Sequence, residues 1–351
     1  MRTTVQRNLT AELQRRLPLA SKPQVQNLAL LTHAMVYSQD CHLANLALAL
    51  PLTGQRDSLI QRQVRFLSNR RVRRETHYLP LVHALFATWP EREVNLIMDR
   101  TDIRNERSIL LLAVAFQHRA IPLTWRLQAF GSTNESLQCA VLREIAPYLP
   151  PTARINVFGD SEFRAVGLQQ YCRDQGWHWH IGVKSDTRFH CGDGDWQALR
   201  TLRVKRGTRR YVHHVTLTQR HALTDVHLLI DWTHAADTPR YVVSDQPTSG
   251  RSWRRGRKRF WIEPTFRDWK SAGFDLEASR ITQSERWERL LLVVNLATLW
   301  LLHLGLWVRH SPYRDQLEAA HRRDYSCFHL ARDYVQRAQL CQWPVPVVLR
   351  R

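Results

Sequence analysis

Paired cysteine and lysine are scarce in this 351-residue chain, and its acids are outnumbered by its bases. Its six cysteines (Cys41, Cys139, Cys172, Cys191, Cys327 and Cys341) are scattered with no C-x-x-C spacing. That argues against a disulfide framework or a zinc ribbon, and reduced thiols are the simple reading. The histidine-rich fragments add no metal signature. Trp177-His178-Trp179-His180 alternates like a strand, and His213-His214 has no ligand spacing. The opening MRTTVQRNLTAEL lacks an apolar h-region, so no signal peptide is expected. One long apolar run exists, Leu290 to Val308, near membrane-spanning length and flanked by Arg289 and Arg309. It contains Asn295 and His303 and has no companion span, so a buried core helix is the expected reading.

Acid is outnumbered. The chain holds 51 Lys and Arg against 31 Asp and Glu, a net charge of +20. Arginine carries nearly all of it, for the only lysines are Lys22, Lys184, Lys205, Lys258 and Lys270. Guanidinium groups make forked contacts to phosphate oxygens, so a nucleic-acid partner leads. The charge peaks between Arg251 and Lys270, where Glu263 sits among eight basic side chains: Arg251, Arg254, Arg255, Arg257, Lys258, Arg259, Arg267 and Lys270. Such neighbours favour the ionised carboxylate and draw polyphosphate to the same surface.

Along the chain, residues 1–90 read as helical, with apolar positions at helical spacing through Val25, Leu28, Leu30, Leu31 and Met35. A run from His42 stops at Pro51, Thr53-Gly54 supplies a turn, and Asp57-Ser58 could cap a helix over 59–69 bearing Arg62 and Arg65. Helix, turn and basic helix are compatible with a helix-turn-helix DNA reader. From Val94 the pattern turns to strands: 94–98 leading into Asp99, then a hairpin of 109–116 and 120–127. Asn134 can cap a helix to about Tyr148, RINVFG at 154–159 ends on Asp160, a helix follows, and 177–184 is another strand. That order suits a mixed sheet with helices on its faces. Residues 185–250 are short alternating runs and turn clusters, including Cys191 to Asp195, whose G-x-G has no phosphate-loop context. After them come the basic stretch, helices to about His310, and a polar, Pro-rich tail.

Asp99 and Asp160 each follow an apolar strand, on the edge where open α/β sheets build sites. On neighbouring strands their carboxylates would converge and need a cation. Oxygen ligands suit Mg²⁺ or Mn²⁺, and Glu263 is the candidate third acid. Capping of the next turn is the plainer role for Asp160, and Asp102 and Glu162 are alternative ligands three and two residues away.

The three acids in this order resemble the DDE transposases of bacterial insertion sequences, in particular the insertion-sequence-four branch. Asp99 in M-D-R-T-D-I and Asp160 in F-G-D-S-E-F are similar to that family's first two motifs. Arg259, Glu263 and Lys270 match the spacing of its last one, whose tyrosine position is Gly256 here. The resemblance spans residues 25–310. It implies an RNase H-like mixed sheet with flanking helices, interrupted by a β-rich insertion, plus an N-terminal helical domain. The implied layout is a DNA-binding region at 1–90, core at 91–184, insertion at 185–250, core again at 251–310 and a helical tail at 311–351. It further implies Asp99, Asp160 and Glu263 as catalytic metal ligands for Mg²⁺ or Mn²⁺. Arg259, Lys270, Arg267, Arg257, Lys258, Arg62 and Arg65 would contact DNA. Transposon-end and target double-stranded DNA would be the substrates, a homodimer the synaptic unit, and a cytoplasmic, nucleoid-associated place the expected location, with no membrane partner. Trp196 or Trp232 could stack on an unpaired base, as in some relatives. A nuclease without joining activity and a non-catalytic DNA-binding relic are the alternatives.

Overall fold

A computed structural model describes residues 2–90, 92–192 and 194–349. Asp193, in the expected turn cluster, lies outside them. Helices come first: α1 (Arg2–Arg16), α2 (Lys22–Ser38), α3 (Leu43–Ala49), α4 (Arg56–Leu67), α5 (Arg74–His77) and α6 (Leu79–Ala87). A reciprocal Ser21–Gln24 capping box with Pro23 in the first turn starts α2. The helix expected to be capped by Asp57-Ser58 begins instead at Arg56, after Gln55, so Asp57 sits in its first turn, where a carboxylate suits the helix dipole.

Strands β1 (Glu93–Ile103), β2 (Arg107–Phe116) and β3 (Arg119–Ala129) follow as an antiparallel meander. The first turn spans three residues, Arg104 to Glu106, with positive φ at Arg104 and Asn105; the second is a two-residue hairpin with positive φ at Gln117 and His118. That geometry matches the twist of the flanking strands. Then come α7 (Glu135–Ile145), β4 (Arg154–Gly159), α8 (Val166–Asp174) and β5 (His178–Val183). Asn134 does cap α7, accepting the Leu137 amide at 2.9 Å. Strand β1 pairs in parallel with β4, and β4 with β5. Pro122 interrupts β3, which the sheet tolerates because β3 is its edge strand.

The strands of 185–250 do not form a separate block. They are β6 (Arg188–Cys191), β7 (Gln197–Ala198), β8 (Arg209–Leu217), β9 (Leu223–Asp231) and β10 (Arg240–Ser244). Antiparallel pairing of β10 with β5 joins them to the sheet, which among the described residues runs β3-β2-β1-β4-β5-β10-β9-β8-β6-β7. Helices α9 (Gly250–Gly256), α10 (Ile262–Trp269), α11 (Ser284–Arg309) and α12 (Cys327–Cys341) complete the chain.

Helix α11 is the one long apolar helix among the described residues, and 89% of its most apolar window is buried inside the fold. It lies among α2, α4, α12 and β3, so its hydrophobic faces are covered by protein. Two of its buried side chains bond back to the helix itself: Asn295 donates to the Leu291 carbonyl and Thr298 to that of Val294. The apolar core is continuous from Val5 to Leu349, joining the N-terminal helices to the sheet.

Candidate active site

Parallel pairing of β1 with β4 stops at Ile97↔Phe158. Two residues beyond, in the same register, stand Asp99 and Asp160, at the fork where the strands part. Asp160 lies close enough for its charge to raise the Asp99 carboxyl. Their backbone contexts differ. Strand β1 does not end at Asp99; it runs on to Ile103, bonded only to β2. Asp160 is the cap of a 3-10 turn, Ser161–Phe163, its carboxylate accepting the Glu162 amide at 2.8 Å. Capping and a place at the fork therefore coexist in one side chain. Gly182 on β5 makes room for that turn, since a β-carbon there would stand 2.9 Å from the Ser161 nitrogen.

The third acid arrives on a helical ramp. A reciprocal Ser249–Ser252 box opens α9, a 3-10 stretch Arg257–Trp261 continues it, and α10 follows. Arg255 pairs with Glu93 at 3.0 Å, fixing the ramp to the start of β1. Helix α10 is fixed to β3 by Thr265, which accepts the Ala120 amide, and by Asp268, which pairs with Arg119 at 2.8 Å. Glu263 thus sits exposed in the first turn of α10, and Arg259 comes from the segment before it. Arg259 reaches both acids at once, 3.8 Å from Asp99 and 3.7 Å from Glu263. At those distances it neutralises charge without tight hydrogen bonds. Burial pushes the Asp99 carboxyl up to about 6; Arg259 opposes the rise, and the charges of Asp160 and Glu263 add to it. Asp99 and Glu263 share one guanidinium at a distance while Asp160 adds its repulsion to Asp99, so the site is short of positive charge.

The basic candidates are dispersed. Arg267 is exposed on the Glu263 face of α10. Lys270 instead donates from Nζ to the Asp102 carbonyl at 2.6 Å and lies 3.4 Å from Glu277, a tie between α10 and the end of β1. Arg62 and Arg65 line a different hollow of about 540 Å³ with Gln24, Asn27 and Arg71, and Arg62 is already bonded to Asn27. Asp102 and Glu162 are not placed to stand in for the acids. Alternation along β1 turns Arg100 and Asp102 to the opposite face from Asp99. There Arg100 binds Asp102 and Glu162, while Ser108 and Thr133 complete their hydrogen bonds.

A cleft of about 1670 Å³ opens beside Asp160, between β5, β10 and β9 on one side and the helical ramp on the other. Lys184, Arg240, Arg254, Arg257, Lys258 and Arg259 line it. So do three aromatics that sequence reasoning missed: Trp253, Phe260 and Trp261. Cations stack on them, Arg209 at 3.5 Å from the Trp253 ring centre, Arg259 at 4.4 Å and Arg240 at 4.9 Å from that of Phe260. The interleaving of W-R-R-G-R-K-R-F-W was the available signal. Trp196 and Trp232, the expected stacking residues, do not line this cleft; Trp196 packs on His190 and Trp232 donates to the Ala236 carbonyl. Gly256 has helical dihedrals, and a β-carbon there would meet nothing within 4 Å.

The transposase DDE domain family model matches residues 90–300, from β1 into α11. The chain belongs to that family. Within this DDE transposase the match takes in Asp99, Asp160, Glu263 and every strand from β1 to β10. No match exists among curated proteins. Among solved structures the chain is similar to a piggyBac transposase in a synaptic complex with hairpin DNA. The two share 12% identity at a TM-score of 0.48, over 98% of this chain and 80% of that one.

Proposed function

We propose that this transposase binds transposon-end DNA, hydrolyses one strand at each end, and joins the freed 3′-hydroxyls to target DNA by transesterification. The observation that carries the reading is the fork: Asp99 and Asp160 just beyond the last pair of the parallel strands β1 and β4, with Glu263 joined to Asp99 through Arg259. An all-carboxylate donor set fits Mg²⁺ or Mn²⁺, and the raised Asp99 carboxyl is what a cation at this place would relieve. Asp99, Asp160 and Glu263 would hold the metal. When bound, it makes water or a 3′-hydroxyl a competent nucleophile at neutral pH and steadies the leaving oxygen.

The chain's own residues do the rest. Arg259 balances the acids before metal arrives and is then free to meet a phosphate. Arg257, Lys258 and Arg267 line the approach as phosphate contacts, with Lys270 holding α10 against β1. Trp253, Phe260 and Trp261 offer flat faces to unpaired bases in the cleft, the kind of contact that tolerates any base. Arg62 and Arg65 form a second basic surface on the N-terminal helices, suited to duplex outside the cleavage site. Two ends must be cut and joined together, so the working unit is a homodimer on double-stranded DNA, located with the nucleoid in the cytoplasm.

The test is incubation of the purified protein with labelled transposon ends and supercoiled plasmid in Mg²⁺. Joined products are expected, and Asp160→Asn should yield none. Cleaved but unjoined ends would make the chain a nuclease; ends left intact by the unaltered protein would make it a DNA-binding relic. Either result overturns the proposal.

A further inference from the structure

Strands β8 and β9 are irregular where regular pairing would be expected. Val212 pairs with Leu228 and Val215 with Val226, so His213 and His214 together oppose His227. A second shift follows between Val215 and Leu217, where the extra residue lies on β9. Each bulge contains a non-glycine residue in the left-handed region, His214 at φ 54° and Asp225 at φ 53°. Bulges re-aim side chains, and backbone held in an unfavourable region is a reason to look for function. Adjacent residues of a regular strand face opposite ways, so without the bulge only one of the two histidines could meet His227.

The re-aimed groups converge. One ligand atom each from His214, Asp225 and His227 lies within 4.8 Å of the others. His214 Nδ1 is 2.8 Å from Asp225 Oδ1, and His213 Nδ1 is 3.3 Å from His227 Nδ1. Two nitrogens bound to one tetrahedral zinc at about 2.0–2.1 Å stand roughly 3.3 Å apart. His214 and Asp225 are exposed, so their side chains are free of core packing.

We propose that His214, Asp225 and His227, with His213 as fourth ligand, form a site for a zinc-class transition ion that clamps the two bulges of the β8–β9 hairpin. Imidazole nitrogens with one carboxylate select zinc or cobalt over magnesium, which separates this site from the three-carboxylate fork. Its role is structural, since β9 pairs with β10 and both line the cleft. The proposal does not rest on the transposition reading.

Cobalt and zinc titrations of the metal-free protein test it. One equivalent of Co²⁺ should give the intense visible absorption of a four-coordinate nitrogen-rich site, and Zn²⁺ should displace it and raise the melting temperature. His214→Asn keeps a residue tolerant of positive φ and should weaken binding about 100-fold or more, as should His227→Asn; His213→Ala should cost about tenfold. Asp99→Asn should leave the band unchanged. Absence of the band in the unaltered protein, or its survival at full affinity in folded His214→Asn, overturns the site.

Discussion

Two groups of acids occupy the two faces of one strand end, and only one of them is at rest. On one face Arg100 binds Asp102 and Glu162 at hydrogen-bond distance, with Ser108 and Thr133 taking further lone pairs. On the other, Asp99 and Glu263 share Arg259 at 3.8 and 3.7 Å, and Asp99 is held up to about 6. The same residue types three positions apart thus make a latch on one side and an unsatisfied pocket on the other. Saturated carboxylates have little to gain from a metal ion. Unsaturated ones do, and that difference separates the two groups more sharply than their sequence neighbourhoods.

The comparison breaks first if activity follows the wrong face. Asp160→Asn should lower strand cleavage by at least about a thousandfold, some 4 kcal/mol of transition-state stabilisation, while Asp102→Asn stays within about tenfold in the same assay. A second contrast is in stability. The Asp99 carboxyl is raised above its unfolded value near 3.8, so its ionisation opposes folding, and stability is lost as pH climbs through about 6. In metal-free protein at pH 8, Asp99→Asn should therefore be more stable than the parent by on the order of 3 kcal/mol, read by thermal or chemical denaturation. The advantage should vanish below pH 4, and a variant no more stable at pH 8 would refute the unsatisfied pocket. Arg100→Ala acts in the opposite sense. It strips the latch and should destabilise by about 2 kcal/mol in chemical denaturation at any pH above 5. The smallest effect is expected at Gly256, whose helical dihedrals and open surroundings predict that Gly256→Ala gains about 0.4–1 kcal/mol with cleavage retained.

Much of the sheet could be read from residue order. Alternation and the Asn134 cap are local signals, and the elements from β1 to β5 stand in the expected order, with the apolar run of α11 buried in the core. The last four residues of β1 were hidden because Arg100 and Asp102 look like a polar loop; their partners, Glu162 and Ser108, are distant or across a turn. Nothing in 185–250 announces that β10 will bond to β5, since pairing partners are not written in either strand. At the fork, the spacing of Arg259, Glu263 and Lys270 marked these three residues as one group. It did not reveal that Arg259 touches two acids while Lys270 turns to a main-chain carbonyl. His213-His214 showed no ligand spacing because Asp225 and His227 lie on the return strand, and the bulge that aligns them is invisible to periodicity.

The union of β10 with β5 has a mechanical consequence. Each step across a sheet turns the next strand by about 20–25°, so three steps from β4 to β9 rotate the surface by roughly 60–75°. The far wall of the cleft therefore curls relative to the acids and is tied to them by an unbroken ladder of amides. A polymer strand laid along it must bend to follow.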